Sequence, residues 1–213
     1  MSTTTPQKFE FQAEIAQQQD QQRGGRGTVD IVIAENRDPL AGLHRIGQAF
    51  GMQVIAWSQN LTADVAAQAG ATHGGKHALF AKSDIVSVHL VLSGRTRGIV
   101  GAEDLARMKP TALIVNTSRA ELIAPGALLA ALRAGRPGYA AVDVYEQEPI
   151  VNGDHPFLSM PNVVCTPHLG WAEWDNFDLY YSEAFDQIVA YANGQPMRLA
   201  NPDVLGKARL PPA

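Results

Sequence analysis

Short apolar runs that alternate with Ala/Leu-rich helical stretches constrain this chain more than any other feature. The runs VDIVIA, QVIAW, IVSVHLV, ALIVN, YAAVDV and NVVCT are dominated by Val, Ile and Ala. Between them lie ADVAAQAG, KHALFAKS, AEDLARMK and APGALLAALRAG. A strand that is apolar on both faces needs cover on both faces, and helices between successive parallel strands supply it. The expected fold is α/β, a doubly wound, mainly parallel sheet from about Val29 to Gly170. The punctuation agrees. Lys109-Pro110 closes one helix before ALIVN, and Gly135 stands where a C-cap glycine belongs after a helix over Pro125–Ala134. Near the C-terminus, apolar residues at 177, 180, 181, 184, 185, 188 and 189 have helical spacing, which predicts a helix over Trp174–Asn193.

Composition then removes several function classes. The formal net charge of −4 gives no basic footprint for nucleic acid. No apolar run approaches the roughly 18 residues of a membrane span. The single cysteine, Cys165, excludes an intramolecular disulfide framework and fits a reducing cytoplasm. Residues 1–27, rich in Gln, Thr and Gly, lack the apolar core of a secretory signal and read as a disordered tail. The expected layout is a tail over 1–27, a nucleotide-binding domain over 28–175, and a C-terminal helix and tail over 176–213.

Three polar stretches follow expected strands. IVNTSRAEL places Arg119 beyond one strand end, AAVDVYEQEP places Asp143 and Glu148 after the next, and VVCTPHLGW places His168 after the last. In open α/β sheets ligands bind beyond the carboxyl ends of the strands, so an Arg, a Glu and a His are expected to converge on one crevice. Any one of them alone is as ordinary as a surface charge or a structural histidine. The three in this order carry more.

Together with IGQAFGMQVIAWSQNLT, LARMKPTALIVNTSR, LLAALRAG, DVYEQEP, MPNVVCTPHLG and GQPMRLANP, they resemble the D-isomer-specific 2-hydroxyacid dehydrogenases from about Arg45 to Leu205. The resemblance implies a Rossmann-like domain, NAD or NADP as cofactor, a small 2-hydroxy or 2-keto acid as substrate, and a homodimer. By that resemblance His168 exchanges the proton with the substrate oxygen, a task suited to imidazole with its ordinary pKa near about 6.5. Glu148 orients the ring and favours its charged form. Arg119 holds the substrate carboxylate with its planar fork of donors. Asp143 and the backbone of Thr117 and Ser118 face the nicotinamide end, Gly170 allows a close approach there, and Val91 and Ser58 complete the cofactor-binding set.

The chain also departs from that pattern. Aligned without gaps from IGQAFGMQVIAW, the three fingerprint glycines fall on Glu35, Arg37 and Leu40. The turn then loses its bend, its close approach to pyrophosphate and its helix packing. A second alignment reads GLHRIG, Gly42 to Gly47, as the fingerprint, with His44 at its middle glycine. Ser58 stands where an acidic residue usually grips the ribose, and Ala120 where glycine usually follows the arginine. The N-terminal substrate domain that the resemblance implies is expected to have no counterpart here. Two readings follow: an NAD(P)-dependent oxidoreductase domain with an impaired cofactor cradle, or a non-catalytic remnant that dimerises with an intact paralogue.

Overall fold

The computed structural model describes residues 33–34 and 37–207. The expected tail, the start of the first expected strand and Glu35 lie outside the described residues. Strands β1 (Ile33–Ala34), β2 (Ile55–Ala56), β3 (Thr72–His73), β4 (Ile85–His89), β5 (Leu113–Asn116), β6 (Tyr139–Val142) and β7 (Val163–Cys165) alternate with helices α1 (Arg37–Ala49), α2 (Ala63–Gln68), α3 (Lys76–Lys82), α4 (Ala102–Arg107) and α5 (Ala127–Arg133). A final helix, α6, spans Trp174–Ala192.

Every described strand pair is parallel, as the alternation of elements predicts. The strands form two sheets. One has five strands in the order β1-β4-β5-β6-β7, and the other pairs β2 with β3. The strand β3 has no apolar run in the sequence. It is specified by its neighbour: Thr72 N–H donates to the Val54 carbonyl and Gly74 N–H to that of Ala56. Helix α5 starts at Ala127 rather than at Pro125, because Gly126 takes φ 70° at the N-cap. Its other end follows expectation. Gly135 has φ 72°. It donates to Leu132, and Arg136 to Ala131, which together satisfy the last carbonyls of the helix.

The core lies between the five-stranded sheet and α3, α4 and α5. Phe80, Leu79, Leu105, Met108, Ile114, Leu122, Val86, Val88 and Val100 are fully buried. Gly138 is obligatory where the chain enters β6, since a Cβ there would stand 1.9 Å from the Pro110 carbonyl oxygen. One ion pair ties α3 to α4, and another ties the segment after α4 to the residue before β4. Lys76 Nζ bonds Asp104 at 2.6 Å, and Lys109 Nζ bonds Asp84 at 3.0 Å.

The chain divides into two compact units, Met1–Pro167 and His168–Ala213. In the second, α6 has no buried residue. Phe177 stacks on Tyr181 along the helix, and Trp174, Tyr181, Phe185 and Ile188 are exposed. Among the described residues no helix is long and apolar enough to cross a membrane.

Candidate functional site

Parallel strands all end on one edge of their sheet, so the loops after β4, β5, β6 and β7 lie along the same edge. Each is shaped by short side chains that bond the backbone, the usual way polar residues fix a turn.

After β5, the buried Asn116 does this with both ends of its amide. Its Nδ2 donates to the Arg119 carbonyl at 2.9 Å, and its Oδ1 accepts the Ser118 N–H at 3.1 Å. The Ser118 hydroxyl donates to the Val88 carbonyl of β4 at 2.8 Å. Thr117 and Arg119 are thereby presented outward, both exposed. The Arg119 Nη1 turns back to the Ser118 carbonyl at 2.6 Å.

After β6, Asp143 is 3 % exposed. Its backbone N–H donates to the Asn116 carbonyl, and its carboxylate accepts the Thr166 hydroxyl at 2.5 Å. Two residues on, the Tyr145 N–H donates to Glu148 Oε1 at 2.7 Å. Glu148 is exposed, but that bond closes the turn and fixes one oxygen. The Tyr145 phenol is buried and donates to the Thr166 carbonyl at 3.0 Å. Burial, and then the hydrogen bond it shares with Cys165, push this phenol well above its ordinary pKa.

After β4, the buried Thr96 accepts the Ser93 N–H at 2.8 Å and donates to the Val91 carbonyl at 2.7 Å. Val91 itself is 63 % exposed at this edge. His89 ends the strand with its Nε2 at 2.7 Å from the Ser87 hydroxyl, and burial lowers its pKa.

In the second unit, His168 is half-buried and Gly170 is exposed. His168 takes φ 54°. That left-handed backbone costs a non-glycine residue about 1–2 kcal/mol, and such strain concentrates at functional positions.

Ser58, expected near a ribose, is buried and its hydroxyl accepts the Leu61 N–H at 3.1 Å, a turn-closing bond. The GLHRIG alternative does not form a turn. All of Gly42–Gly47 lies inside α1. There Gly47 is a packing residue, since a Cβ would meet Val54 Cγ2 at 3.1 Å. A dinucleotide therefore fits the described residues at one end only. The loops after β4, β5 and β6 offer fixed polar groups to a nicotinamide, whereas α1 follows β1 without a glycine turn and carries Pro39, which has no N–H, in its first turn. Among the described residues no group of His, Cys, Asp and Glu could hold a metal ion.

Asn116, Tyr145 and Thr166 shape these loops and were not singled out by sequence. An Asn at the end of an apolar strand, with Thr and Ser next, is a turn signal that could have marked the first. Nothing in the sequence marks the other two, whose partners lie more than a loop away.

Comparison with known proteins gives a consistent picture. The sequence model of the D-isomer specific 2-hydroxyacid dehydrogenase NAD binding domain matches residues 41–170. A glyoxylate reductase of Aeropyrum pernix is 39% identical over 167 residues, covering 78% of this chain and 49% of that protein. A crystal structure of a putative D-3-phosphoglycerate dehydrogenase from Ralstonia solanacearum is 43% identical with a TM-score of 0.75, over 84% of this chain and 52% of that one. The NAD-complexed D-isomer specific 2-hydroxyacid dehydrogenase of Lactobacillus delbrueckii ssp. bulgaricus is 25% identical with a TM-score of 0.62, over 80% of this chain and 54% of that one. The chain spans about half the length of the curated relatives it matches.

Proposed function

Because this chain belongs to the D-isomer specific 2-hydroxyacid dehydrogenases, as their NAD-binding domain, we propose that it carries the proton-handling and carboxylate-anchoring part of an oxidoreductase site for small 2-hydroxy or 2-keto acids. Arg119 anchors the carboxylate and polarises the adjacent carbonyl. His168 gives the proton to the carbonyl oxygen on reduction and takes it back on oxidation. Glu148 orients the imidazole and stabilises its charged form. Asp143, Thr117, Ser118, Val91, Ser58 and Gly170 belong to the nicotinamide cofactor's surroundings. The protein acts as a cytoplasmic homodimer, with 28–175 as the nucleotide-binding domain.

The observation that carries this reading is the way the two loops are built. Asn116 and Ser118 fix the turn that presents Arg119, and the Tyr145 N–H fixes the turn that presents Glu148. The first turn is closed by Asn116 and Ser118, and the second by the Glu148 carboxylate itself, which holds one of its oxygens in place. The test is glyoxylate reduction by the purified chain with NADH or NADPH. His168→Ala is expected to lower turnover by roughly 10²–10⁴-fold, the scale of a positioned acid or base. Undiminished turnover in that variant refutes the role.

One observation favours a second reading. With the GLHRIG glycines inside α1, the phosphate end of the cofactor site has no glycine turn. NADH and NADPH are then held weakly, with dissociation constants well above micromolar and little preference between them. In that reading the chain is a non-catalytic remnant that pairs with an intact paralogue. Calorimetry that returns micromolar NADH binding excludes it.

A further inference from the structure

We propose that Tyr145 is a positioning residue, tying the loop that carries Glu148 to the end of the strand that leads into His168. The inference rests on the roles of Glu148 and His168 proposed above, and adds a residue to them.

Tyr145 stands just beyond β6 with only 8 % of its surface exposed. It reaches two loops at once. Its backbone N–H donates to Glu148 Oε1 at 2.7 Å. Its phenol donates to the Thr166 carbonyl at 3.0 Å, with the Val142 carbonyl more distant at 3.5 Å. Thr166 is two residues before His168. The phenol has one proton to donate, and the shorter contact takes it. The ring cannot swing away, because the His155 ring packs edge-on against it at 5.1 Å and Phe157 backs His155 at 4.8 Å. A phenol is protonated throughout the range in which a histidine titrates, so it remains a donor there.

An ordinary core tyrosine would need only one partner for its hydroxyl, anywhere. This one spends its hydroxyl on the backbone that precedes His168 and its N–H on the carboxylate proposed as that histidine's partner. The N–H bond is available to any residue but proline. The phenol bond is not, and it couples the two loops. A second clamp on the same strand end, the Thr166 hydroxyl on the Asp143 carboxylate, acts from the side chain and leaves the carbonyl to Tyr145.

The test is histidine-ring NMR on the full chain, with the His168 signals assigned by their loss in His168→Gln. Glu148→Gln is expected to shift the His168 ring signals, since it removes the carboxylate proposed to orient that ring. Tyr145→Phe is expected to move them in the same direction, part of the way, while Tyr139→Phe, which removes a hydroxyl from β6 itself, leaves them unchanged. If Glu148→Gln has no effect, the pairing of Glu148 with His168 fails, and this inference with it. If Glu148→Gln moves the signals and Tyr145→Phe does not, or if Tyr139→Phe moves them equally, Tyr145 is a core residue only and the inference alone is overturned. Should Tyr145→Phe fold poorly, Tyr145→Met, a smaller and adaptable apolar side chain without a hydroxyl, is held to the same outcomes.

Discussion

The carboxyl ends of β5 and β6 and the carboxyl end of β1 are equivalent places in a parallel sheet, and this chain treats them differently. After β5 the buried Asn116 closes the turn and leaves Arg119 exposed, and after β6 the exposed Glu148 closes its turn on the Tyr145 N–H. After β1, the chain passes into α1 with no glycine at the junction, and Gly42 and Gly47 are well inside the helix. Gly47 still serves close helix–strand packing against Val54, one of the three tasks of a fingerprint glycine. The bend and the close approach to phosphate have no such residue. Helix–strand packing and phosphate binding thus have separate requirements, because packing needs only a small side chain and phosphate binding needs N–H groups aimed at one point.

The largest break in this comparison comes from the site that holds β6 to β5. Gly138→Ala places a methyl 1.9 Å from the Pro110 oxygen. The backbone must shift, and a loss of about 3 kcal/mol or more in denaturant unfolding is expected. Unchanged stability would mean that the β5–β6 edge is softer than the structure shows.

Next is Asn116→Ala, which strips the Ser118 N–H and the Arg119 carbonyl of their partner. A cost of about 1–3 kcal/mol is expected, with faster amide exchange confined to 117–120. Exchange that spreads over β5 would show that the turn does not act as a local clamp.

A gain at the opposite end sharpens the contrast. Glycine at positions 35, 37 and 40 together should tighten NADH binding by about tenfold, or about 1.4 kcal/mol, measured by calorimetry. No gain would place the defect elsewhere than in the turn. A pH effect separates the β6 end further. The folded chain holds the Tyr145 proton to a higher pH than the unfolded chain does. Stability therefore declines as pH rises above about 10, where the unfolded phenol begins to ionise. Tyr145→Phe should flatten that decline in alkaline melts. The smallest effect is Arg97→Ala, which removes a 3.7 Å ion pair with Glu121 between exposed side chains. It should change stability by under about 0.5 kcal/mol.

The class of fold was legible because it is written in periodicity. Apolar runs such as IVSVHLV and ALIVN need cover on both faces, and only one arrangement of alternating helices provides it. The residue types of the proposed site were legible too, since Arg119, Glu148 and His168 each follow a readable strand. The strand β3 was not, because Thr72 and His73 are exposed and gain their pairing only from β2. The start of α5 was misplaced by two residues, since the left-handed turn at Gly126 depends on how the loop before it packs.

By itself, then, the sequence determined the parallel α/β class, the order of the elements other than β3 and which polar residues end the strands. All of these follow from patterns within a few residues of one another. The tertiary structure decided what those residues touch. Ser58 became a turn-closing hydroxyl, GLHRIG became helix, and Tyr145 became a link between two loops. Tyr145 and Thr166 lie 21 positions apart in the chain and meet only because β6 and β7 pair in register. Local pattern carries no information about such a contact, since it is the sheet that brings the two backbones to hydrogen-bonding distance.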